Sequence, residues 1–539
     1  MDENGRIQDC RPMKARSFLS AVAAGLTALL LLAVALLWVM DLRSPLHLAE
    51  QPLALPRASL FVPREADLSL HWLADPGRLP AYAQAVAPAA DRRGARDAAR
   101  QWRDGAFALA GLDYEAELAS WLGPELSLTL MSAGDEPGWV LALTSRDKDG
   151  ARRFLQRFWQ TRSLAGTDLQ ISSYRGIGLI SGRGALIGRN PQPLATALID
   201  DDLLLLASGR GVLEQALDVS QLKDQHQLGN ELLQRQVAGF GKGVALMTAS
   251  PRALQRWMDL PQGVADRDDL SGLVAVLQPD GAELVMNALL LFNDRFASSP
   301  WPPLSDLSSE AGGRGLWLAQ LQNPARLLNS DDTHPLVQWL GPLLQDQLRE
   351  RSAAAAVVRL DDGPLLWQQQ ADGWLLTSSR NRPEQQAVDA ELQSAGLSRS
   401  ELKEEGEQLQ VWTRLVRRRG RNSGLDAQLA VVQARTPSLD WWAETLTGLA
   451  HRTESRGLQP RLQQLRSLLA DDQPTHALLL DSRTAQAILR KWSTWVRLSV
   501  MAGQPVQDRV EGLALSVGVD RRLDDGGTAL PLHARLSLG

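Results

Sequence analysis

Three serine–lysine pairs stand one helical turn apart: Ser145–Lys148, Ser220–Lys223 and Ser400–Lys403. A lysine so placed can take the serine proton and support acyl-enzyme chemistry. The lysine–threonine–glycine strand and serine–aspartate–asparagine loop that accompany such a site are missing, and no G-x-S-x-G elbow occurs. Ser145 and Ser400 also fit as helix caps. The seven histidines (His47, His71, His226, His334, His451, His476 and His533) are scattered, with no two at i, i+4, so no helix carries a zinc-binding pair. Gly176, Gly178, Gly182 and Gly184 resemble a dinucleotide loop, but Ser181 takes the third glycine's place and strand patterns flank both sides. They are read as hairpin glycines. The pairs Asp331-Asp332, Asp361-Asp362, Asp471-Asp472 and Asp524-Asp525, with Asp200–Asp202 and Asp266–Asp269, lack the alternating ligands and distal glutamate of a calcium loop. They read as turns. The expectation is no catalytic, cofactor-binding or metal-ligating residue.

Two features point to binding instead. Arg417, Arg418, Arg419 and Arg421 crowd a predicted hairpin tip, where guanidinium groups can hold anionic head groups or a partner's carboxylates. Glu401, Glu404, Glu405 and Glu407 precede them and neutralise part of that charge. Tryptophan is abundant: 17 against 3 Tyr and 8 Phe. Trp441, Trp442, Trp492 and Trp495 fall near the C-terminus, as core or as a binding platform.

The elements that must position these residues begin with Phe18–Met40, 23 residues without a charge. As a helix it extends about 34 Å, enough for a hydrocarbon core of about 30 Å. Arg6, Arg11, Lys14 and Arg16 precede it, whereas Arg43 and Arg57 follow, which predicts an anchor with residues 1–17 cytoplasmic and the bulk exported. No small-x-small cleavage site ends the apolar run, so it reads as an anchor and not a cleaved signal peptide. This predicts a location at the cell membrane with the bulk periplasmic, or lumenal at an internal membrane. Residues 41–57, with Pro45, Pro52 and Pro56, read as an extended tether. The single cysteine, Cys10, excludes a disulfide framework, so the exported part is held by its own core. Net charge is −5, and with export this excludes a nucleic-acid partner.

Beyond the tether, short strand patterns alternate with helical ones. Leu126–Met131 and Trp139–Thr144 read as strands, residues 147–161 as a helix, and Ile177–Ile180 and Leu169–Ser173 as a hairpin around Arg175-Gly176. Two strand runs flank Asp200–Asp202, Ser250-Pro251 starts a helix, and a hairpin turns at Pro279–Gly281. The second half repeats this order, with Ala354–Leu360 and Leu365–Gln370 in the place of the first strands, and Ser59–Val62 matched to Gly315–Ala319. The fold class is α+β: two related units of mostly antiparallel sheet, residues 58–295 and 315–539, with helices packed on one face and a Pro/Ser/Gly-rich linker at 296–314. The crevice between the units is the expected place for a ligand.

The run Leu112–Gly123 leading into a strand, the helix at Ala151–Leu155, Tyr174-Arg175-Gly176 and the stretch Asp201–Ser208 together resemble the membrane-anchored bacterial proteins, frequent in cyanobacteria, of domain-of-unknown-function family 3352. The resemblance implies an N-terminal anchor and an exported α+β domain. It implies no activity and carries over no functional residue. The leading expectation is a non-catalytic, single-pass envelope protein that acts through contacts with envelope or membrane proteins. The alternatives are a carrier of an amphiphile in a sheet-lined groove, and an enzyme with an unfamiliar site.

Overall fold

The computed structural model describes residues 44–46, 48 and 52–538, except 110, 134–135, 165, 185–191, 259, 306, 308–311, 405, 418–424, 455–472, 493–494, 497–498 and 500–505. The expected anchor Phe18–Met40 lies outside the described residues, as do Arg418, Arg419 and Arg421. Among the described residues no helix is long and apolar enough to cross a membrane.

The strands follow the chain as β1 (Leu68–Trp72), β2 (Leu122–Ala133), β3 (Glu136–Ser145), β4 (Gln170–Tyr174), β5 (Ile177–Gly184), β6 (Gln192–Ile199), β7 (Leu203–Ala207), β8 (Ala245–Ala249), β9 (Leu270–Asp280) and β10 (Glu283–Phe292). After residues 293–316 come β11 (Trp317–Gln322), β12 (Pro364–Gln370), β13 (Gly373–Ser379), β14 (Ser398–Glu404), β15 (Glu407–Arg417), β16 (Leu425–Arg435), β17 (Leu439–Ala443), β18 (Pro474–Asp481), β19 (Val510–Gly518), β20 (Arg521–Arg522) and β21 (Thr528–Leu538).

All belong to one sheet, and every pairing is antiparallel. Its N-terminal half runs β4-β5-β6-β7-β3-β2-β1-β8-β9-β10. Its C-terminal half runs β14-β15-β16-β17-β13-β12-β11-β18-β19-β21, the same order strand for strand. The short β20 adds to the end of β21. The halves meet where β10 pairs with β21 over ten residues, from Glu283↔Ser537 to Phe292↔Thr528.

Local chemistry explains most elements. Arg175 and Gly176 take positive φ in the β4–β5 turn, as a two-residue hairpin requires. Ser250 Oγ accepts from the Ala253 N–H and starts the helix Pro251–Met258. Asp481 caps the helix Ser482–Leu489 in the same way, accepting from the Thr484 N–H.

Three expectations are corrected. Helices cover both faces of the sheet, not one. The helix Arg210–Ser220 packs Leu213 and Leu217 against Leu203, Leu205 and Ala207, while the helix Lys148–Leu164 packs Phe154 and Phe158 against the opposite side with Leu204 and Leu206. A strand as apolar as β7, buried at all five positions, needs cover on both sides. Ala354–Leu360 is no strand: Ser352–Leu360 is a helix, because four consecutive alanines favour one more than its valines oppose it. Ser59–Val62 is not the first strand either. A 3-10 turn occupies Arg57–Phe61, and Leu68–Trp72 takes the central place in the N-terminal half.

The joint between the halves is packed, not open. Trp301 is buried, with its ring 4.9 Å from that of His476 and 6.0 Å from that of His334. The Arg326 guanidinium lies 4.2 Å from the Trp301 ring and pairs with Asp332 at 2.6 Å. Desolvation lowers the pKa of His334 to about 4 and of His476 to about 3, so both are neutral near pH 7.

Candidate functional site

The residues with chemical potential in the sequence do not assemble into a reactive centre. Ser145 Oγ donates to the Asp147 carbonyl at 2.6 Å, and Lys148 Nζ reaches the Asp200 carbonyl at 3.5 Å. Ser220 Oγ donates to the Leu217 carbonyl, while Lys223 lies 3.6 Å from Glu231. Ser400 is not a cap: it lies in β14 opposite Val411, because residues 398–404 extend the sheet. Gly176 turns a hairpin and Gly178, Gly182 and Gly184 lie in β5. Several of the aspartates are engaged in ion pairs: Asp200 and Asp202 with Arg57, Asp201 with Arg152, Asp269 with Arg267, Asp362 with Arg382 and Asp524 with Arg235. Asp471-Asp472 lie outside the described residues. Among those residues no group of three His, Cys, Asp or Glu side chains is placed to hold a metal ion. Arg417 ends β15.

One serine–histidine contact does form. His71 Nδ1 lies 2.7 Å from Ser127 Oγ. His71 is fully buried and Ser127 nearly so, and burial lowers the histidine pKa to about 4. A neighbouring network joins Ser69, Thr248 and Gln227, with Ser69 Oγ 2.6 Å from Thr248 Oγ1. Ser69, Thr248 and Gln227 satisfy one another beside the 3-10 turn Gln227–Gly229, whereas His71 Nε2 has no hydrogen-bond partner among the described residues. With neither Ser127 nor His71 reachable from solvent, the arrangement is a structural polar core.

The feature that stands out lies on the other face of the same strands. In an antiparallel sheet, directly opposed residues share a face. Following the register from β2 to β11 gives Leu126, Trp72, Ala245, Leu277, Met286, Ala534, Leu515, Leu478 and Ala319. All nine are apolar. Nine strands at about 4.8 Å spacing make a ladder about 38 Å long, measured along the sheet. It crosses the seam between the halves. The next row contributes Leu128, Leu70, Met247, Ala275, Ala288, Leu532 and Val517.

This floor is sealed only in part: Ala245, Ala275, Ala288 and Ala319 are buried, the rest are not. Leu70 is 43% exposed and Leu128 37%. Leu126, Trp72, Leu277, Met286, Ala534, Leu515 and Leu478 are all half-buried. One wall is the main core, where Leu254 and Val264 pack with Leu273, Leu290 and Leu530. The other wall is a helical pair, Leu79–Val86 and Arg92–Leu109. Tyr82 Oη donates to the Gly281 carbonyl at 2.9 Å, tying the first helix to the β9–β10 turn. Trp102 lies 6.1 Å from Trp72, ring to ring. Near the helix start, Arg509 Nη2 lies 3.7 Å from where a side-chain carbon at Gly94 would sit. The long helix therefore reaches from the floor at β1 to the residue that precedes β19.

The helix carries two chemistries. At 3.6 residues per turn, Ala95, Ala98, Ala99, Trp102 and Ala106 share one side, and all five remain half-buried. Arg92, Arg96, Arg100 and Arg103 share another. Arg103 pairs with Glu115 at 2.7 Å and with Asp104 at 2.8 Å, and Arg100 lies 3.7 Å from each. Trp102 on the apolar side thus meets Trp72 of the floor, and both surfaces stay partly open.

Sequence reading missed this helix. Five arginines and two glycines within 18 residues obscure its period, although the Ala/Trp spacing was the available signal. It also missed β1, whose alternation of leucine with Ser69 and His71 is that of a strand between two unlike environments.

The fold and this trough define an α+β protein built on one antiparallel sheet of duplicated strand order. The chain belongs to the family described as Protein of unknown function (DUF3352), which matches residues 22–530. No curated protein matches it. Among solved structures, crystal form I of TP0453 is similar at 7% identity and TM-score 0.27, covering 46% of this chain and 82% of that one. Crystal form III of TP0453 gives 10% identity and TM-score 0.26, covering 45% and 80%. Overlap at that level carries no argument about function.

Proposed function

We propose that this protein is a non-catalytic, membrane-tethered binder of an amphiphile, whose apolar chain lies along the Leu126–Ala319 ladder. The observation that carries the reading is the half-open ladder itself. Large contiguous apolar surface left accessible on a folded protein marks a binding site. Each methylene moved from water onto the floor contributes about 0.8 kcal/mol. One acyl chain spans half of a hydrocarbon core of about 30 Å, so the trough is long enough for it. The charge-free segment Phe18–Met40 supports a tether that keeps the trough beside a membrane, and the flanking arginines support export of the bulk. The shared strand order supports two related units.

The test is mass spectrometry of molecules that copurify with the detergent-extracted full chain, compared with an Ala534→Trp variant that fills the floor. The expected result is a near-stoichiometric amphiphile that the variant loses. An equal lipid complement in both proteins overturns the reading.

A second reading, contact with envelope or membrane proteins, rests on the free edge at β4. Ile171 there is 80% exposed, and Leu164 just before it 84%. The opposite edge, β14, is guarded by Arg399, Glu401, Lys403 and Glu404. Crosslinking at position 171 tests it: a recurrent protein partner supports it, and none contradicts it.

A further inference from the structure

We infer that the occupant of the trough is an anionic phospholipid, with its phosphate held by Arg92, Arg93 and Arg96 and its acyl chain passing beneath the helix Arg92–Leu109. The inference rests on the binding role proposed above and adds the chemistry of the head group.

The arginines of this helix divide into two sets. Arg100 and Arg103 are committed to Glu115 and Asp104. Arg92, Arg93 and Arg96, all exposed, have no carboxylate within ion-pair distance among the described residues. Arg509 adds a fourth guanidinium beside Gly94. The acidic groups nearest in the chain are Asp91, just before this helix, Asp97 on it, Asp508, which pairs with Arg490 at 2.9 Å, and the exposed Glu511 in β19. The cluster stands where the helix meets Arg509, just before β19; Leu515 of the ladder follows Val510 by five residues, about 17 Å along the strand.

A basic helix with an apolar, tryptophan-bearing side is suited to an anionic lipid surface. Here Trp102 on that apolar side meets Trp72 of the floor, and both surfaces stay half accessible. The arrangement pairs a site for a phosphodiester with a site for a hydrocarbon chain. Guanidinium groups bind phosphate oxygens through charge-assisted, often paired hydrogen bonds. A neutral or zwitterionic head group gains less from them.

The experiment uses the full chain in detergent, incubated with equal amounts of palmitoyl-oleoyl phosphatidylglycerol and phosphatidylcholine, then repurified and analysed for bound lipid. The wild type is expected to enrich phosphatidylglycerol about tenfold. Arg92→Gln/Arg93→Gln/Arg96→Gln, at exposed positions, is expected to abolish the preference while keeping the total lipid bound. Ala534→Trp and, independently, Ala98→Trp are expected to lower the total. Equal retention of both lipids by the wild type overturns the head-group assignment and leaves the trough intact. Total lipid unchanged by both tryptophan variants overturns the trough and this inference with it.

Discussion

The two halves of the sheet share a strand order but treat the same face differently. In the C-terminal half the ladder continues from Ala319 through Trp367 and Leu376 to Trp442. Those last three are almost completely buried. The helix Ser352–Leu360 belongs to the same core, with Ala353 through Val358 all buried. In the N-terminal half the helix at the comparable point, Arg92–Leu109, also has an alanine side, yet that side is only half-buried and Leu70 and Leu128 stay exposed. The difference is one of size and charge. Short alanines on a helix with one arginine permit close docking. On the other helix the bulky Trp102 interrupts the alanines and meets Trp72 of the floor. The duplicated layout thus yields a sealed core across β12, β13 and β17, and an open trough that spans the seam between the halves.

The sharpest way to break the comparison is to truncate one leucine from the sealed floor and one from the open floor. Leu376→Ala in the sealed half is expected to lower stability by about 2–5 kcal/mol, and Leu70→Ala in the open half by about 1 kcal/mol or less. Denaturant unfolding of the two variants measures this, and equal losses would show that both floors are sealed. Crowding gives the converse. Ala355→Trp, under the sealed helix, is expected to cost about 1–3 kcal/mol or more, whereas Ala534→Trp enters open space and costs little.

Titration compares the halves through their buried histidines. Burial holds His71 in one half, and His334 and His476 in the other, at pKa values of about 4, about 4 and about 3, below the ordinary histidine value of about 6.5. Between pH 6.5 and 4 the unfolded chain binds more protons at these sites. Stability is therefore full above pH 6.5 and falls with pH through that window, by about 1.4 kcal/mol per unit for each histidine fully engaged. Asp361 opposes the trend. Burial raises its carboxyl to about 7, so its own contribution grows as pH falls from 7 toward 4. His71→Phe is expected to flatten the unfolding-versus-pH curve by one histidine's share. A curve unchanged by that substitution would contradict the buried neutral state.

The smallest effect is expected at the β4 edge. Ile171→Arg should change stability by no more than about 0.5 kcal/mol, because the side chain is 80% exposed. It should abolish any crosslinked partner at that edge. Loss of bound amphiphile in this variant would merge two surfaces that the structure keeps apart.

The sequence made the α+β class, the hairpins and several helix starts legible because each has a local cause. Ser250-Pro251, Arg175-Gly176 and the alternating leucines of β2 act through their neighbours alone. The trough did not show, because it is assembled by register. Met286 and Ala534 are 248 positions apart and become neighbours only when β10 pairs with β21. Ala354–Leu360 was misread for a related reason: buried all round, it lacks the period that separates helix from strand. The run at Arg417 drew attention by charge density, whereas Arg92, Arg93 and Arg96 gain their setting from tertiary placement.

The most direct test of the central claim is photocrosslinking of the full chain in vesicles that contain a phospholipid with a diazirine at the end of one acyl chain, with adducts mapped by peptide mass spectrometry. The account predicts adducts within residues 68–72, 284–291 and 513–517, diminished by Ala534→Trp. Adducts confined to Phe18–Met40 would contradict it, leaving an anchor but no lipid in the trough.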